Sequence, residues 1–325
     1  TNSKITVSVY PDRFLDKNLP ILPFSGISNS QTIYCNENGN YSIYQSDRYG
    51  FNNPDEEWNE NEIEYLLVGD SYVKGACVNR PNDIGSSLRY LSSKSVLNLG
   101  QGGIGPLIEY AILREYMKNN VKKVLWFYYE GNDIKELLLE KKNNILNHYL
   151  NNSKYTQDLK FKQKEIDKLL INFIKKEEVI YNKKIKVKKN KNFISNFIKF
   201  IKITNTRRLL IYSTSSKAKS DEILLKSEFK NILHLSKKLV EENSSQLFFI
   251  YLPEFSRYKF KNKNFNYNVV KDIVKELDIP FIDIHGEVFK KNKNPLKFFP
   301  YELNGHYNSE GYKKVSEFIY QFSKE

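Results

Sequence analysis

An apolar segment of the chain reads Ile63-Glu64-Tyr65-Leu66-Leu67-Val68-Gly69-Asp70-Ser71. Residues 63–68 predict a buried β-strand, and the Gly-Asp pair after them predicts the turn that ends it. Side chains that follow a strand at the carboxyl edge of an α/β sheet face the crevice in which such folds bind ligands. Ser71 is therefore a candidate nucleophile, provided that other segments supply a base and an oxyanion site.

Length and composition indicate a folded protein. The chain has 325 residues, of which 40% are hydrophobic, and this is enough to bury a full core. No apolar run approaches the roughly 18 residues that a membrane-spanning helix needs. The chain starts at Thr1 and its single methionine is Met117. We therefore expect either that a signal or anchor was removed from its N-terminus, or that the chain was trimmed there.

Alternation of strands and helices continues along the chain. Further strands are predicted at 95–99, 124–129, 246–252 and 280–284, with helices at 84–91, 107–119, 269–277 and 309–322. Five strands joined by helices predict an α/β/α sandwich around a five-stranded parallel sheet. We expect an N-terminal flap (1–60) packed on the core, a catalytic core (61–134 and 231–325), and a mostly helical basic insertion or cap (135–230).

Positive charge is concentrated in the insertion. The formal net charge of the chain is +13, and residues 135–230 contain 24 Lys and Arg against 10 Asp and Glu. The insertion includes a basic run at 183–191 and an apolar helical stripe at 193–201. Three interpretations stay open: a solvated lysine-rich cap, attraction to an anionic glycan or acidic substrate, and contact with an anionic membrane surface. No nucleic-acid partner is expected, because Arg is scarce and no recognition motif is present.

Four polar features follow predicted strand ends or precede the last helix, namely Ser71, Gly103, Asn132 and His306. Acyl transfer requires these residue types: a nucleophile, a general base and small donors for the oxyanion. Glycine at an oxyanion position lets a backbone N–H approach without a Cβ in the way. Each feature alone is also explained by a turn or a helix cap, so the argument depends on their combination.

In their order along the chain, the segments around these residues resemble the four blocks of the SGNH (GDSL) hydrolases. The blocks are Gly69-Asp70-Ser71, residues 98–103, Gly131-Asn132-Asp133 and residues 306–311. The resemblance covers residues 60–135 and 245–325, and it implies the flavodoxin-like SGNH fold. It also implies that Ser71 is the nucleophile and His306 the base. The oxyanion hole would consist of the N–H groups of Ser71 and Gly103 and the Asn132 side-chain amide.

The sequence departs from the family at the acid of the triad. The family usually has Asp three residues before its His, and this chain has Leu303 there. Glu302 is our candidate for an acid that orients His306, and the alternative is a serine–histidine dyad. A small hydroxyl residue that often follows the family's serine is replaced by Val73 and Lys74, which we expect to alter the acyl pocket.

Cysteine count alone leaves two interpretations open, because Cys35 and Cys77 are either two buried thiols or one bridge. Both lie in segments that resemble a bacterial SGNH subgroup, Cys35-Asn36-Glu37 and residues 75–78. The resemblance implies a disulfide, and a disulfide implies an extracytoplasmic location, either periplasmic or secreted and with or without a membrane anchor. No Cys or His spacing predicts a metal site, and no cofactor is expected.

The resemblance implies a serine ester hydrolase or O-acyltransferase that works through an acyl-enzyme on Ser71. The expected substrate is an acetyl ester of an exported carbohydrate, or another ester. One alternative is a catalytically impaired module that binds a glycan or assembles with a membrane acyltransferase, because the usual Asp is missing. The other is a lipase-like esterase that works at a membrane surface.

Overall fold

The computed structural model describes residues 5–186, 223–261 and 264–324 of the chain. Within these residues, eight strands form two sheets: β1 (Ile5–Val7), β2 (Gln31–Ile33), β3 (Ile43–Gln45), β4 (Ile63–Val68), β5 (Val96–Asn98), β6 (Val121–Tyr129), β7 (Gln246–Leu252) and β8 (Phe281–Asp283). The first three form a small mixed sheet. The other five form a parallel sheet with the order β5-β4-β6-β7-β8.

Helices lie between the strands of the parallel sheet, as the α/β prediction requires. They are α1 (Ser71–Lys74), α2 (Ile84–Ser92), α3 (Pro106–Tyr116), α4 (Asp133–Glu140), α5 (Asn144–Asn151), α6 (Gln163–Lys186), α7 (Lys230–Glu242), α8 (Phe255–Lys259), α9 (Asn266–Glu276) and α10 (Ser309–Ser323). The predicted fold class is confirmed. Asp83 caps α2 by accepting the Ser86 N–H, and proline occupies the first position of α3.

Both faces of the parallel sheet are buried. Along β6, Val124, Trp126 and Tyr128 belong to one apolar cluster, whereas Leu125 and Phe127 belong to the other. Residues of α3, α7 and α9 complete the first cluster, and residues of α2 and α10 complete the second. Alternating side chains point to opposite faces of a strand, so a strand that is apolar at every position needs cover on both sides.

One strand begins earlier than the sequence pattern predicts. The pattern places the third strand of the sheet at 124–129, but β6 begins at Val121. The sequence pattern misses the first three residues of β6, because Lys122 and Lys123 are charged and charged residues are not expected in a buried strand. In the structure their ammonium groups lie 3.0 Å from Glu62 and 3.1 Å from Glu64, beside β4. These ion pairs let the strand start at the solvent-facing end of the sheet.

A single buried carboxylate organises the flap. Asp47 accepts hydrogen bonds from two backbone N–H groups, from Asn53 Nδ2 at 2.9 Å and from Trp58 Nε1 at 2.7 Å. Asn53 continues the network to β5, since its amide donates to Asn98 O at 2.9 Å and its Oδ1 accepts the Asn98 N–H at 2.8 Å. The flap is therefore hydrogen-bonded to the edge strand of the parallel sheet.

Helices of the insertion pack on both the core and the flap. Leu146 and Leu170 share an apolar cluster with α3, and Asp167 in α6 accepts from the Ser28 N–H at 2.9 Å. The basic run at 183–191 extends beyond the described residues, and the apolar stripe at 193–201 lies wholly outside them. In the part of the chain that the structure describes, no helix is both long and apolar enough to cross a bilayer.

Candidate active site

The parallel sheet reverses its strand order at β4. β5 lies on one side of β4 and β6 on the other, and this arrangement opens a crevice at the carboxyl ends of the strands. Ser71 follows β4, residues 99–105 follow β5, and residues 130–133 follow β6. Three of the four polar segments singled out in the sequence therefore begin at one crevice.

A sharp turn presents Ser71 at this crevice. Asp70 caps the single turn of α1 by accepting the Tyr72 N–H at 2.9 Å. Gly75 ends the turn with φ 83°, and a Cβ there would lie 2.7 Å from Asp83 Cβ. Glycine is required at this position for both reasons. The serine side chain remains half-buried at the start of the helix.

His306 faces Ser71, with its Nε2 2.9 Å from the serine Oγ. The histidine lies in the loop that leads into α10. Tyr72 supports the loop, because its hydroxyl donates to Gly305 O at 3.2 Å and its ring centroid lies 4.8 Å from that of the imidazole. The structure thus brings together the serine and the histidine that the sequence singled out.

Glu37 faces the other ring nitrogen of His306. Its Oε1 lies 3.0 Å from Nδ1, and its Oε2 accepts the backbone N–H of the same histidine at 2.7 Å. A carboxylate only accepts, so Nδ1 carries the ring proton and Nε2 keeps the lone pair that accepts from the Ser71 hydroxyl. Both the Glu37 and His306 side chains are 24% exposed, so a substrate can reach the site from solvent.

The choice of Glu302 as the orienting acid is wrong. Its side chain is exposed and accepts from Asn294 Nδ2 at 2.8 Å. The carboxylate that contacts His306 comes from the flap, 269 residues earlier in the chain. Glu37 was not predicted from the sequence, because the acid was expected within a few residues of the histidine. The one available signal was its position in the Cys35-Asn36-Glu37 segment.

Two of the predicted oxyanion residues belong to the loops that follow β5 and β6. Gly103 has φ 69°, and the loop that carries it is hydrogen-bonded to the serine turn because the Gln101 N–H donates to Gly69 O at 3.1 Å. Asn132 directly precedes α4, at the end of the turn after β6. The assignment of Gly103, Asn132 and the serine N–H as oxyanion donors stays a prediction.

No family model and no curated protein matches the chain. Among solved structures, a G-D-S-L family protein from Desulfitobacterium hafniense DCB-2 is 14% identical with a TM-score of 0.43, covering 80% of this chain and 99% of that one. The acetyl xylan esterase AlAXEase is 11% identical with a TM-score of 0.40, covering 80% and 100%.

The four sequence blocks meet at one crevice of a five-stranded parallel sheet. This is the arrangement that the resemblance to the SGNH hydrolases implies for the four blocks. Within this fold, the third block is fixed by a buried ion pair: Arg257 Nε donates to Glu130 Oε1 at 2.7 Å, two residues before Asn132. Asp133 Oδ2 accepts the Tyr129 N–H at 2.8 Å and closes the turn after β6.

Asp70 directly precedes Ser71 and is buried. Burial raises the pKa of this carboxyl to about 6, whereas hydrogen bonds from the Tyr72 N–H and from the Ser71 and Asn132 side chains oppose the rise. Burial, together with the charge of Asp70, also raises the pKa of Asp133 well above its usual range. Asp70 is therefore ionised above about pH 6, where it accepts the Tyr72 N–H as a carboxylate.

Cys35 and Cys77 form a disulfide, with their Cα atoms 5.1 Å apart. The bond joins the flap to the segment that follows α1. Among the described residues, Cys35, Cys77 and His306 are the one group of side chains with metal-ligand spacing. Sulfur atoms in a disulfide offer no thiolate to a metal ion, so this group does not fit a metal site.

Lys74 is buried beneath the Gly103 loop. Its Nζ donates to Ser8 Oγ at 2.7 Å and to Gln101 Oε1, and it lies 4.6 Å from the ring centroid of Tyr34. Gln101 Oε1 also accepts the Gly102 N–H at 3.3 Å. Lys74 therefore supports the loop from below. Burial lowers the pKa of the Lys74 ammonium to about 7.

We expect Lys74 to make the free energy of unfolding rise with pH. Its pKa is about 7 in the folded chain against 10.5 for an ordinary lysine, so between these values the unfolded state binds more protons at this position. The contribution is up to about 1.4 kcal/mol per pH unit. Urea unfolding at pH 7 and pH 9 checks this: the midpoint should rise more for the wild type than for Lys74→Met. Equal changes in both proteins would contradict it.

Proposed function

We propose that the chain is a serine ester hydrolase. The observation that carries this is the continuous set of hydrogen bonds from Glu37 through His306 to Ser71, at 3.0 and 2.9 Å. As the serine Oγ attacks an ester carbonyl carbon, His306 Nε2 accepts the hydroxyl proton, and Glu37 stabilises the imidazolium. The N–H groups of Ser71 and Gly103 and the Asn132 amide would hold the oxyanion.

The remaining steps use the same groups. When the tetrahedral intermediate collapses, the alcohol leaves with the proton from His306, and the acyl group stays on the Ser71 oxygen. Water then attacks the acyl-enzyme, His306 accepts its proton, and the carboxylic acid is released. A sugar hydroxyl in place of water transfers the acyl group to the sugar, so one site serves either hydrolysis or O-acyl transfer.

We propose acetyl esters of an exported carbohydrate as the substrate, and Tyr301 supports this choice. Tyr301 is 72% exposed, yet its hydroxyl donates to Asn38 O at 2.8 Å, next to Glu37. Its backbone has φ 53°, and a non-glycine residue pays a conformational cost in this left-handed region. A rigidly held, exposed ring beside the acid offers an apolar face against which a sugar ring can pack.

Glu37 also weakens the argument for an impaired binding module. That alternative was based on the missing Asp before His306, and Glu37 provides a carboxylate at Nδ1 instead. The membrane alternative depends on the stripe at 193–201, which is outside the described residues. An extracytoplasmic location is proposed on the Cys35–Cys77 disulfide, because such bonds persist in oxidising compartments.

A fluorophosphonate probe and an aryl acetate test the proposed function together. The wild-type protein should hydrolyse the aryl acetate, and mass spectrometry should find the phosphonate on Ser71. Pretreatment with the probe should abolish hydrolysis in proportion to labelling. A protein that binds acetylated oligosaccharide but neither reacts with the probe nor turns over the ester would be a binding module.

Tyr301→Ala tests the carbohydrate assignment. An aromatic contact contributes about 1 kcal/mol, so we expect KM for an acetylated oligosaccharide to rise about 5-fold. KM for a small aryl acetate should change less than about 2-fold, because that ester does not reach the ring. Tyr301→Phe keeps the ring, and Tyr90→Ala is a control at an exposed tyrosine on α2. Equal losses on both substrates would argue against a sugar contact.

A further inference from the structure

The disulfide lies within contact distance of the Ser71–His306–Glu37 site. Cys77 Sγ is 3.9 Å from His306 Nδ1, the nitrogen that faces Glu37. Along the chain, Cys35 precedes Glu37 by two residues, and Cys77 follows Ser71 by six. One covalent bond therefore joins the segment that carries the acid to the segment that carries the nucleophile, and it passes beside the base.

Glu37 itself lies on an exposed turn with little packing of its own. Residues 38–40 are exposed, and the turn is closed by local bonds such as the Gly39 N–H to Asn36 Oδ1 at 2.9 Å. At the base of the turn, the Ser42 N–H donates to Cys35 O at 2.7 Å. These bonds shape the turn. Beyond them, the Tyr301 hydroxyl donates to Asn38 O at 2.8 Å, and Glu37 accepts two bonds from His306.

The disulfide is the covalent link between the turn and the segment that follows Ser71. Cys35 and Cys77 belong to a small apolar cluster with Tyr34, Tyr44 and Ala76. This cluster is distinct from the two large apolar clusters on the faces of the parallel sheet. Without the bond, the turn could shift by an ångström or more while the sheet remains folded. Displacements of about 1 Å cost up to about 10²-fold in rate at catalytic sites.

We propose that the Cys35–Cys77 disulfide is a positioning element of the catalytic site, and that its reduction lowers turnover by releasing Glu37 from His306. This inference rests on the proposed ester hydrolysis. A purely structural bond makes a different prediction, since it would change the free energy of unfolding and leave kcat of the folded enzyme unaltered. The two roles are separable because the bond and the acid are distinct groups.

The chain has two cysteines, so a phosphine reductant acts on this bond alone. We would measure kcat and KM for an aryl acetate, and the rate of phosphonylation, with oxidised and reduced protein in the wild type and in Glu37→Gln. In the wild type, kcat should fall about 10- to 100-fold on reduction, with KM within about 2-fold. Reoxidation should restore kcat, and the double variant Cys35→Ala/Cys77→Ala should match the reduced enzyme.

In Glu37→Gln, reduction should change the phosphonylation rate less than about 2-fold, because interactions that act through one group are not additive. Equal factors in both backgrounds, or no change in the wild type, would overturn the inference. So would a loss of activity that follows global unfolding, seen by circular dichroism, rather than thiol release. If the oxidised wild type neither hydrolyses ester nor takes the probe, the proposed function itself fails.

Discussion

Ser71→Ala is expected to lower kcat/KM for an aryl acetate by about 10⁴-fold or more, because the substitution removes the atom that becomes acylated. The backbone N–H of residue 71 remains, as do Gly103 and Asn132, so binding of the ester should persist. We therefore expect the loss in kcat, with KM changed little. Phosphonylation by the fluorophosphonate should disappear as well.

Stability should be almost unaffected by this substitution. The Ser71 side chain is half-buried, and apart from His306 its hydroxyl has one long contact, to Asp70 Oδ2 at 3.4 Å. Ser87→Ala provides a matched control, because that serine is half-buried on α2 outside the site. Retention of full activity by Ser71→Ala, with an unchanged urea midpoint, would rule out an acyl-enzyme on this residue.

Glu37→Gln is expected to lower kcat by about 10³- to 10⁴-fold through the tautomer of the histidine. Both carboxylate oxygens accept from His306, one from its backbone N–H and one from Nδ1. A glutamine has one oxygen and one NH₂ group. If its oxygen accepts the backbone N–H, its NH₂ faces Nδ1 and favours the proton on Nε2, where the ring cannot accept from Ser71.

Two further variants serve as controls for the Glu37→Gln prediction. Glu302→Gln changes an acid near His306 in sequence that contacts Asn294 instead, and kcat should stay within about 2-fold of the wild type because surface substitutions have small effects. Glu37→Asp keeps two acceptor oxygens on a shorter side chain, so its kcat should fall between those of the wild type and Glu37→Gln. Similar losses in Glu37→Gln and Glu302→Gln would contradict the assigned triad.

The fold was predictable because its strands carry strong local signals. A run that is apolar at every position, as at 124–128, predicts a strand covered on both faces. The start of β6 was not predictable in this way, because Lys123 pairs with Glu64 on β4 and Lys122 pairs with Glu62, the residue that precedes β4. Ion pairs between neighbouring strands depend on the tertiary structure, and the local sequence pattern does not show them.

The site was predictable to different degrees for different residues. Ser71 and His306 lie in segments with a recognisable order along the chain, and the structure places them in contact. Glu37 comes from a turn in the flap, and nothing in its neighbourhood is specific to a catalytic acid. The burial of Lys74 was not predictable from the sequence, because lysines are almost always exposed, and this one is buried against the Gly103 loop.

Because Glu37 comes from the flap, the Ser71–His306–Glu37 site is built from segments that are far apart in the sequence, and the parallel sheet carries only part of it. A chain shortened to residues 61–325 would retain all four family blocks, every strand of the parallel sheet and the Ser71–His306 pair. It would lack Glu37 and one half of the disulfide. The four blocks would still be present in the shortened sequence, whereas we expect kcat to fall at least as far as in Glu37→Gln. Turnover therefore reports whether the flap that carries Glu37 has packed against the part of the chain that carries Ser71 and His306.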